Sequence, residues 1–426
     1  MNLISRLPRW LVAAAVLAGA PQLSAQGFDL EPGDVIIADD TLSGPTGWLR
    51  ILHKDGSLET IASGTPLFNP AGVYIDRDGN LLVSCWNGQW TPENGIYRFF
   101  ADGRPYEKLN TTPLEDNFRV CRDSQGDVVV ADGFAGLARI DESGNVDWFS
   151  PPGTAQFETN IGVLWDMDGN LLVSEAPNYL MGSLEPGRIF EVDLAGDRQL
   201  FAFDPNLLPN PNGIALNSDG SLLATDASTA GDPRHSLVRV NRFGQVQRIS
   251  DRFVFPTDVA IVGRGHSVVA APGEEAVVWV RPDGSRQTLV SEDEDGNPSN
   301  GLPVDRPYAL TVVPALWLST PFVAQLGTLL TFRIESLKAF AGQEVILAIS
   351  TDQGPYAMAN WWSWDAQFSH LDLDQAKLLR GNLQANGEVQ FLTWIQDPNL
   401  QGKVLYLQAF LEGERLLSNP VALPVR

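Results

Sequence analysis

The chain has 426 residues, with 52 acidic against 29 basic side chains and a formal charge of −23. Phosphate binding is driven by Lys and Arg, so this balance argues against nucleic acid as a partner. The acid excess suits solubility in a cation-rich exterior. Cys85 and Cys121 are the two cysteines, and a zinc site would need a second Cys or His pair beside them.

The N-terminus carries Arg6 and Arg9, an apolar run from Trp10 to Ala20, and Leu23-Ser24-Ala25. This is the layout of a secretory signal peptide over residues 1–25. The apolar run falls short of the roughly 20 residues that a bilayer span needs. The expected product is an exported protein, periplasmic or extracellular, with no membrane span once the signal is removed.

One unit then recurs. PNGIALNSDGSLLATD, residues 211–226, has an apolar run, a polar turn ending in glycine and a second apolar run closed by an acid. Period-2 alternation around such a turn predicts a β-hairpin. The same hairpin appears as NPAGVYIDRDGNLLVSC (69–85), NFRVCRDSQGDVVVAD (117–132) and NIGVLWDMDGNLLVSE (160–175), with a weaker copy in PTDVAIVGRGHSVVAA (256–271). Strand-only repeats about 40–50 residues apart are the signature of propeller blades.

Three landmarks count the blades. Pro70, Asn117, Asn160, Pro211, Pro256 and Pro307 open six inner strands. Six returning strands are expected near Asp34–Asp39, Asn80–Cys85, Asp127–Asp132, Asn170–Glu175, Ser221–Asp226 and His266–Ala271. Six outer turns carry Gly56, Gly103, Gly144, Gly196, Gly244 and Gly284. The chain enters on a returning strand and leaves on an unpartnered inner strand, RPYALTVVP. Pairing the two closes the ring and removes an exposed edge. The expected fold is all-β, with a six-bladed β-propeller over 27–315.

The hairpins resemble NHL repeats, and PNGIALNSDGSLLATD is similar to a blade of the gluconolactonase and regucalcin family. The resemblance implies a divalent cation, often calcium, held in the central channel by one Glu, two Asn and one Asp, and activating water against a lactone. Oxygen ligands suit such a hard ion. Asn212 matches one ligand Asn in type and register. One blade earlier the equivalent position is Ile161, with Asn160 one residue off; one blade later it is Thr257, with Asp258 one residue off. A one-residue slip turns a side chain to the other face unless a bulge intervenes. The Glu position falls at Ala71, with Asn69 nearby, and the remaining channel positions are Phe118 and Tyr308. A ring of Ala71, Phe118, Ile161, Asn212, Thr257 and Tyr308 is more apolar than a metal centre. If calcium binds, its ligands are Asn160, Asn212 and Asp258; the composition of the ring points to no cofactor.

Other signals have structural explanations. Asp76-Arg77-Asp78-Gly79-Asn80 and Asp166-Met167-Asp168-Gly169-Asn170 resemble EF-hand starts but are blade turns, and neither has Glu at loop position 12. Asp293 to Asn297 lies in a longer loop, also without that Glu. Asp39, Asp132, Glu175 and Asp226 close four of the returning strands, where an acid binds nearby backbone. There is no GxSxG or HExxH motif, and the four histidines fall at unrelated places in the repeat. Long loops on the face where inner strands begin, here the top face, bring Trp86, Trp90, Tyr179 and Arg234. Loops on a rigid scaffold are where recognition sits.

After Pro314 a different pattern begins, with alternating runs such as EVILAIST, EVQFLTWI and KVLYLQAFLE between turn residues. It predicts an immunoglobulin-like β-sandwich over 316–426. Asn360-Trp361-Trp362-Ser363-Trp364 is an aromatic cluster in a loop, suited to packing on the propeller or to stacking on a sugar.

The residues favour a recognition or scaffolding propeller whose top face takes a small-molecule, carbohydrate or protein ligand. Asn69, Trp86, Asn117, Asn160, Tyr179, Asn212, Asp258, Arg306 and Tyr308 are the candidate contacts. A metal-dependent lactone or ester hydrolase and a cell-envelope structural protein are the alternatives. Cys85 and Cys121, on adjacent blades near one face, are placed either for a disulfide or as two buried thiols.

Overall fold

The computed structural model describes residues 27–424 except for 41–46, 77–78, 87–91, 123–126, 134–135, 150–158, 166–169, 177–184, 194–195, 218–220, 228–234, 264–265, 292–303, 314–315, 320–328, 337–341, 351–352, 358–367, 372–376, 383–387, 395, 402, 412–415 and 418–420. The expected signal peptide, Trp90, Tyr179, Arg234, the acidic loop at 293–297 and the aromatic cluster at 360–364 lie outside the described residues.

Six four-stranded antiparallel sheets follow one another. Their inner strands are Arg306–Val312, Pro70–Ile75, Asn117–Arg122, Asn160–Trp165, Pro211–Leu216 and Asp258–Gly263, and these define blades one to six. Arg306–Val312 completes blade one by pairing with Val35–Asp40, so the two ends of the repeat region are hydrogen-bonded together. The propeller and its closure are those the landmarks predict. All six outer-turn glycines adopt positive φ, between 75° and 88°, the region where a side chain is strained.

Period-2 alternation explains how the blades cohere. In the returning strands both faces are buried: Leu222 and Ala224 pack toward blade four, and Leu223 toward blade six. Likewise Val35 and Ile37 face blade six while Ile36 and Ala38 face blade two. Six hydrophobic clusters result, one between each pair of neighbouring blades. Each buried aliphatic side chain contributes about 1.5–3 kcal/mol.

Cys85 lies in the cluster between blades one and two and Cys121 in that between blades three and four. Both are buried free thiols, so the disulfide considered from the sequence does not form. The cause is alternation: the two side chains leave their strands toward different inter-blade spaces.

Beyond the closing strand, Leu316–Ser319, Leu329–Ser336 and Glu388–Trp394 form a three-stranded sheet. A five-stranded sheet is built around Glu344–Ser350 and Val404–Leu411, and Gln353–Ala357 pairs with Phe368–Leu371. Among the described residues no helix is long and apolar enough to cross a membrane.

Candidate ligand-binding mouth of the channel

The channel is shaped by a recurrent β-bulge. In blade two Pro70 pairs with Cys85 but Gly72 pairs with Ser84, so Ala71 is an extra residue. Ile161 is extra in blade four and Tyr308 in blade one. In blades three and five, Phe118-Arg119 and Asn212-Gly213 each oppose a single residue of the returning strand. A bulge re-aims side chains that plain alternation would send elsewhere.

The residue that completes each bulge faces the next inner strand at close range. At Gly72 a Cβ would meet the Phe118 carbonyl, at Gly162 the Asn212 carbonyl, and at Gly213 the Asp258 carboxylate. Glycine is therefore required at these three blades. The equivalent residues in blades three and six are Arg119 and Asp258, a charge at each.

Arg119 extends across the axis. Its Nη1 donates to the Ala71 carbonyl of blade two, and Nη2 donates to the carbonyls of Thr257 (2.8 Å) and Tyr308 (3.1 Å), from blades six and one. Nε lies 3.2 Å from Asp258 Oδ2, and the guanidinium carbon stands 6.0 Å from the centre of the Tyr308 ring. Arg119 is 7% exposed and Asp258 5%. The Val259 amide donates to Asp258 Oδ1 and the Leu310 amide to Oδ2, each at 2.9 Å. Burial pushes the Asp258 carboxyl up, and Arg119 and the two amides pull against it. A planar, fully ionised guanidinium suits this role, since it satisfies several acceptors at once.

This arrangement bears on the divalent cation implied by the family resemblance. Ala71 offers no carboxylate, both oxygens of Asp258 are engaged, and the guanidinium supplies the positive charge on the axis. The Asn212 side chain is buried and makes no hydrogen bond among the described residues, while the Asn160 side chain lies outside them. One neutral amide does not offset the dehydration of a divalent ion beside a fixed cation. The described residues do not fit that ion. Among the described residues no group of three His, Cys, Asp or Glu side chains could hold a metal.

At the start of the inner strand of blade three stands Asp116. It is 8% exposed, and its carboxyl makes no hydrogen bond among the described residues. Gly133 lies against both this carboxyl and the Phe118 ring: a Cβ there would stand 2.9 Å from Asp116 Oδ2 and 2.7 Å from the ring. Burial, then Asp132 and Glu115, push the Asp116 carboxyl up to about 7. The Tyr308 phenol is pushed up by burial, with Arg119 opposing and Asp116 adding, so Asp116 and Tyr308 are within electrostatic reach. Asp116 and Phe118 thus meet at Gly133, with Tyr308 within electrostatic reach and beside Arg119, where the inner strands of blades three and one begin.

Other acids of the blades have partners. Asp132 accepts the amides of Glu115 (2.7 Å) and Asp116 (3.2 Å), and Asp226 accepts that of Asn210 (2.7 Å). Asp39 accepts the Arg306 amide at 2.8 Å and pairs with Arg50 at 3.4 Å, although burial still pushes it up to about 7. Asp76 accepts both the amide and the side chain of Asn80, as a turn residue does.

Several sequence candidates serve the scaffold. Asn69 donates to the Trp86 carbonyl and the Trp86 indole to the Glu115 carbonyl, each at 2.9 Å. Asn117 donates to the carbonyls of Cys85 and Gly95, at 3.1 and 3.2 Å. The Trp86 and Asn117 bonds tie blade two to blade three, and the Asn69 bond lies within blade two. Arg306 pairs with Asp40 at 3.3 Å. Sequence reasoning passed over Arg119 and Asp116, yet Arg119 carried a signal: a large cation where its sister repeats have glycine.

Solved structures with a similar fold include a gluconolactonase from Xanthomonas campestris (14% identity, 65% of this chain and 94% of that one, TM-score 0.44). A virginiamycin B lyase from Staphylococcus aureus matches at 15% identity over 61% of this chain and 85% of that one, with a TM-score of 0.41. The WD40 β-propeller domain of Doa1 matches at 15% identity over 65% and 92%, with a TM-score of 0.39. At these values the likeness says nothing about activity. No protein-family model and no curated protein matches the sequence.

Proposed function

We propose that this chain is an exported recognition propeller, built of NHL-type repeats, that binds a ligand at the top-face mouth of its channel. Residues 316–426 form its accessory β-sandwich. The observation that carries the reading is Arg119: it crosses the axis on carbonyls of three blades and on Asp258, while the Asp116 carboxyl beside the Phe118 ring makes no hydrogen bond among the described residues. A rigid concave site with aromatic walls and few polar groups is the usual form of a small-molecule pocket.

The test is a thermal-shift screen of sugars, amines and carboxylates on the full chain, with and without calcium. Ligands are expected to raise the melting midpoint of the wild type and not of Phe118→Ala. Calcium alone is expected to leave it unchanged, where an ion at about 1,000 times its Kd would add ~4 kcal/mol. Calcium stabilisation together with calcium-dependent lactone hydrolysis would replace this reading with the hydrolase. An absence of hits would remove the recognition site.

A further inference from the structure

The geometry points to a ligand class: we propose that the mouth binds an organic ammonium group, with Asp116 as its anionic partner and the rings of Phe118 and Tyr308 as its walls. This rests on the recognition reading above and narrows it.

The first argument is a contrast among four buried acids of the top face. Asp258 has Arg119 and two amides, Asp39 has Arg50 and the Arg306 amide, and Asp132 has two amides. Asp116 is buried too, at 8% exposure against 0–5% for the others, yet among the described residues none of these devices serves its carboxyl. The charges acting on it, Asp132 and Glu115, are both negative. A buried carboxylate is tolerated when a counter-charge or hydrogen-bond donors accompany it. Among the described residues the chain supplies neither, and an incoming cation supplies the counter-charge and the donors.

The second argument is the wall. The Phe118 ring adjoins the carboxyl across Gly133, and the Tyr308 phenol feels its charge. Aromatic faces beside an acid form the environment that attracts ammonium groups. The cations nearby are committed, Arg119 to Asp258 and Arg306 to Asp40, so they do not neutralise Asp116. Strong negative net charge draws cations toward such a mouth. A metal ion is a poorer match, because no group of three ligating side chains surrounds the carboxyl among the described residues.

The inference is tested by calorimetric titration of the full chain with benzylamine, protonated throughout, and with benzyl alcohol, its neutral counterpart. At pH 8 benzylamine is expected to bind at least ~10-fold tighter. Between pH 8 and pH 6 its affinity is expected to fall ~10-fold, as the carboxyl near 7 takes up its proton. Asp116→Asn, which keeps the shape, is expected to lose both the preference and the pH dependence. Its thermal midpoint at pH 8 is expected to equal or exceed the wild type's, which establishes that it folds.

Equal binding of the two probes overturns the ammonium proposal and leaves the recognition reading standing. Retention of the amine preference by Asp116→Asn also overturns it. If neither probe binds, the ammonium proposal fails, and the wider screen decides the recognition reading separately.

Discussion

Arg119 of blade three and Asp258 of blade six meet across the propeller axis, Nε to Oδ2 at 3.2 Å, from the two repeat positions where a charge stands in the place that blades two, four and five give to glycine. The guanidinium also takes carbonyls from blades two, six and one. One side chain therefore links four blades through their inner strands.

Breaking this pair is expected to be costly. Arg119→Ala leaves Asp258 buried without its counter-charge and takes a donor from the Ala71 carbonyl, while the Thr257 and Tyr308 carbonyls keep the Gly213 amide and the Thr257 hydroxyl; a loss of ~3–5 kcal/mol is expected by urea denaturation. Asp258→Leu leaves the converse orphan. The double variant Arg119→Leu/Asp258→Leu should be destabilised by less than the sum of the singles, with a coupling of ~1–3 kcal/mol. Additive losses would mean that the pair carries no coupling.

Gly213→Ala places a methyl group against the Asp258 carboxylate and the Thr257 carbonyl. The expected cost is ~1–3 kcal/mol, typical of overpacking. Because the clash acts on the partner of Arg119, it should be smaller in an Arg119→Ala background, measured by the same denaturation. An unchanged midpoint for Gly213→Ala would show that the inner strands yield more freely than their packing implies.

The raised carboxyls give stability a definite pH dependence. Asp116 stands near 7 in the folded chain against about 3.9 unfolded. Between these values the folded state keeps a proton that the unfolded state has released, so unfolding free energy falls as pH rises through this window and levels above it. Asp116→Asn removes this contribution, and its urea midpoint should decline less steeply than the wild type's from pH 4 to 8. Parallel profiles would refute the assignment.

Cys85 and Cys121 are buried, and burial pushes the Cys85 thiol well up, which suppresses the reactive thiolate. The native chain should resist a thiol reagent at pH 8, release two equivalents on unfolding in denaturant, and keep its melting midpoint under reducing agent. Recovery of no thiol after unfolding would reveal a disulfide.

Sequence alone determined the blade number, the outer turns at six glycines and the closure of the ring, because period-2 burial and turn chemistry are local and repeat six times. It also predicted backbone bonding for Asp39, Asp132 and Asp226. Tertiary structure decided the site. Strict alternation cannot register a bulge, so Asp258 looked one residue out of the channel register and Arg119 drew no reading, although the two meet. The pairing of residues 139 positions apart depends on the ring bringing blade three opposite blade six, and no local pattern encodes that meeting. The setting of Asp116, whose carboxyl makes no hydrogen bond among the described residues, was equally invisible, because it emerges only when the neighbouring blades are in place.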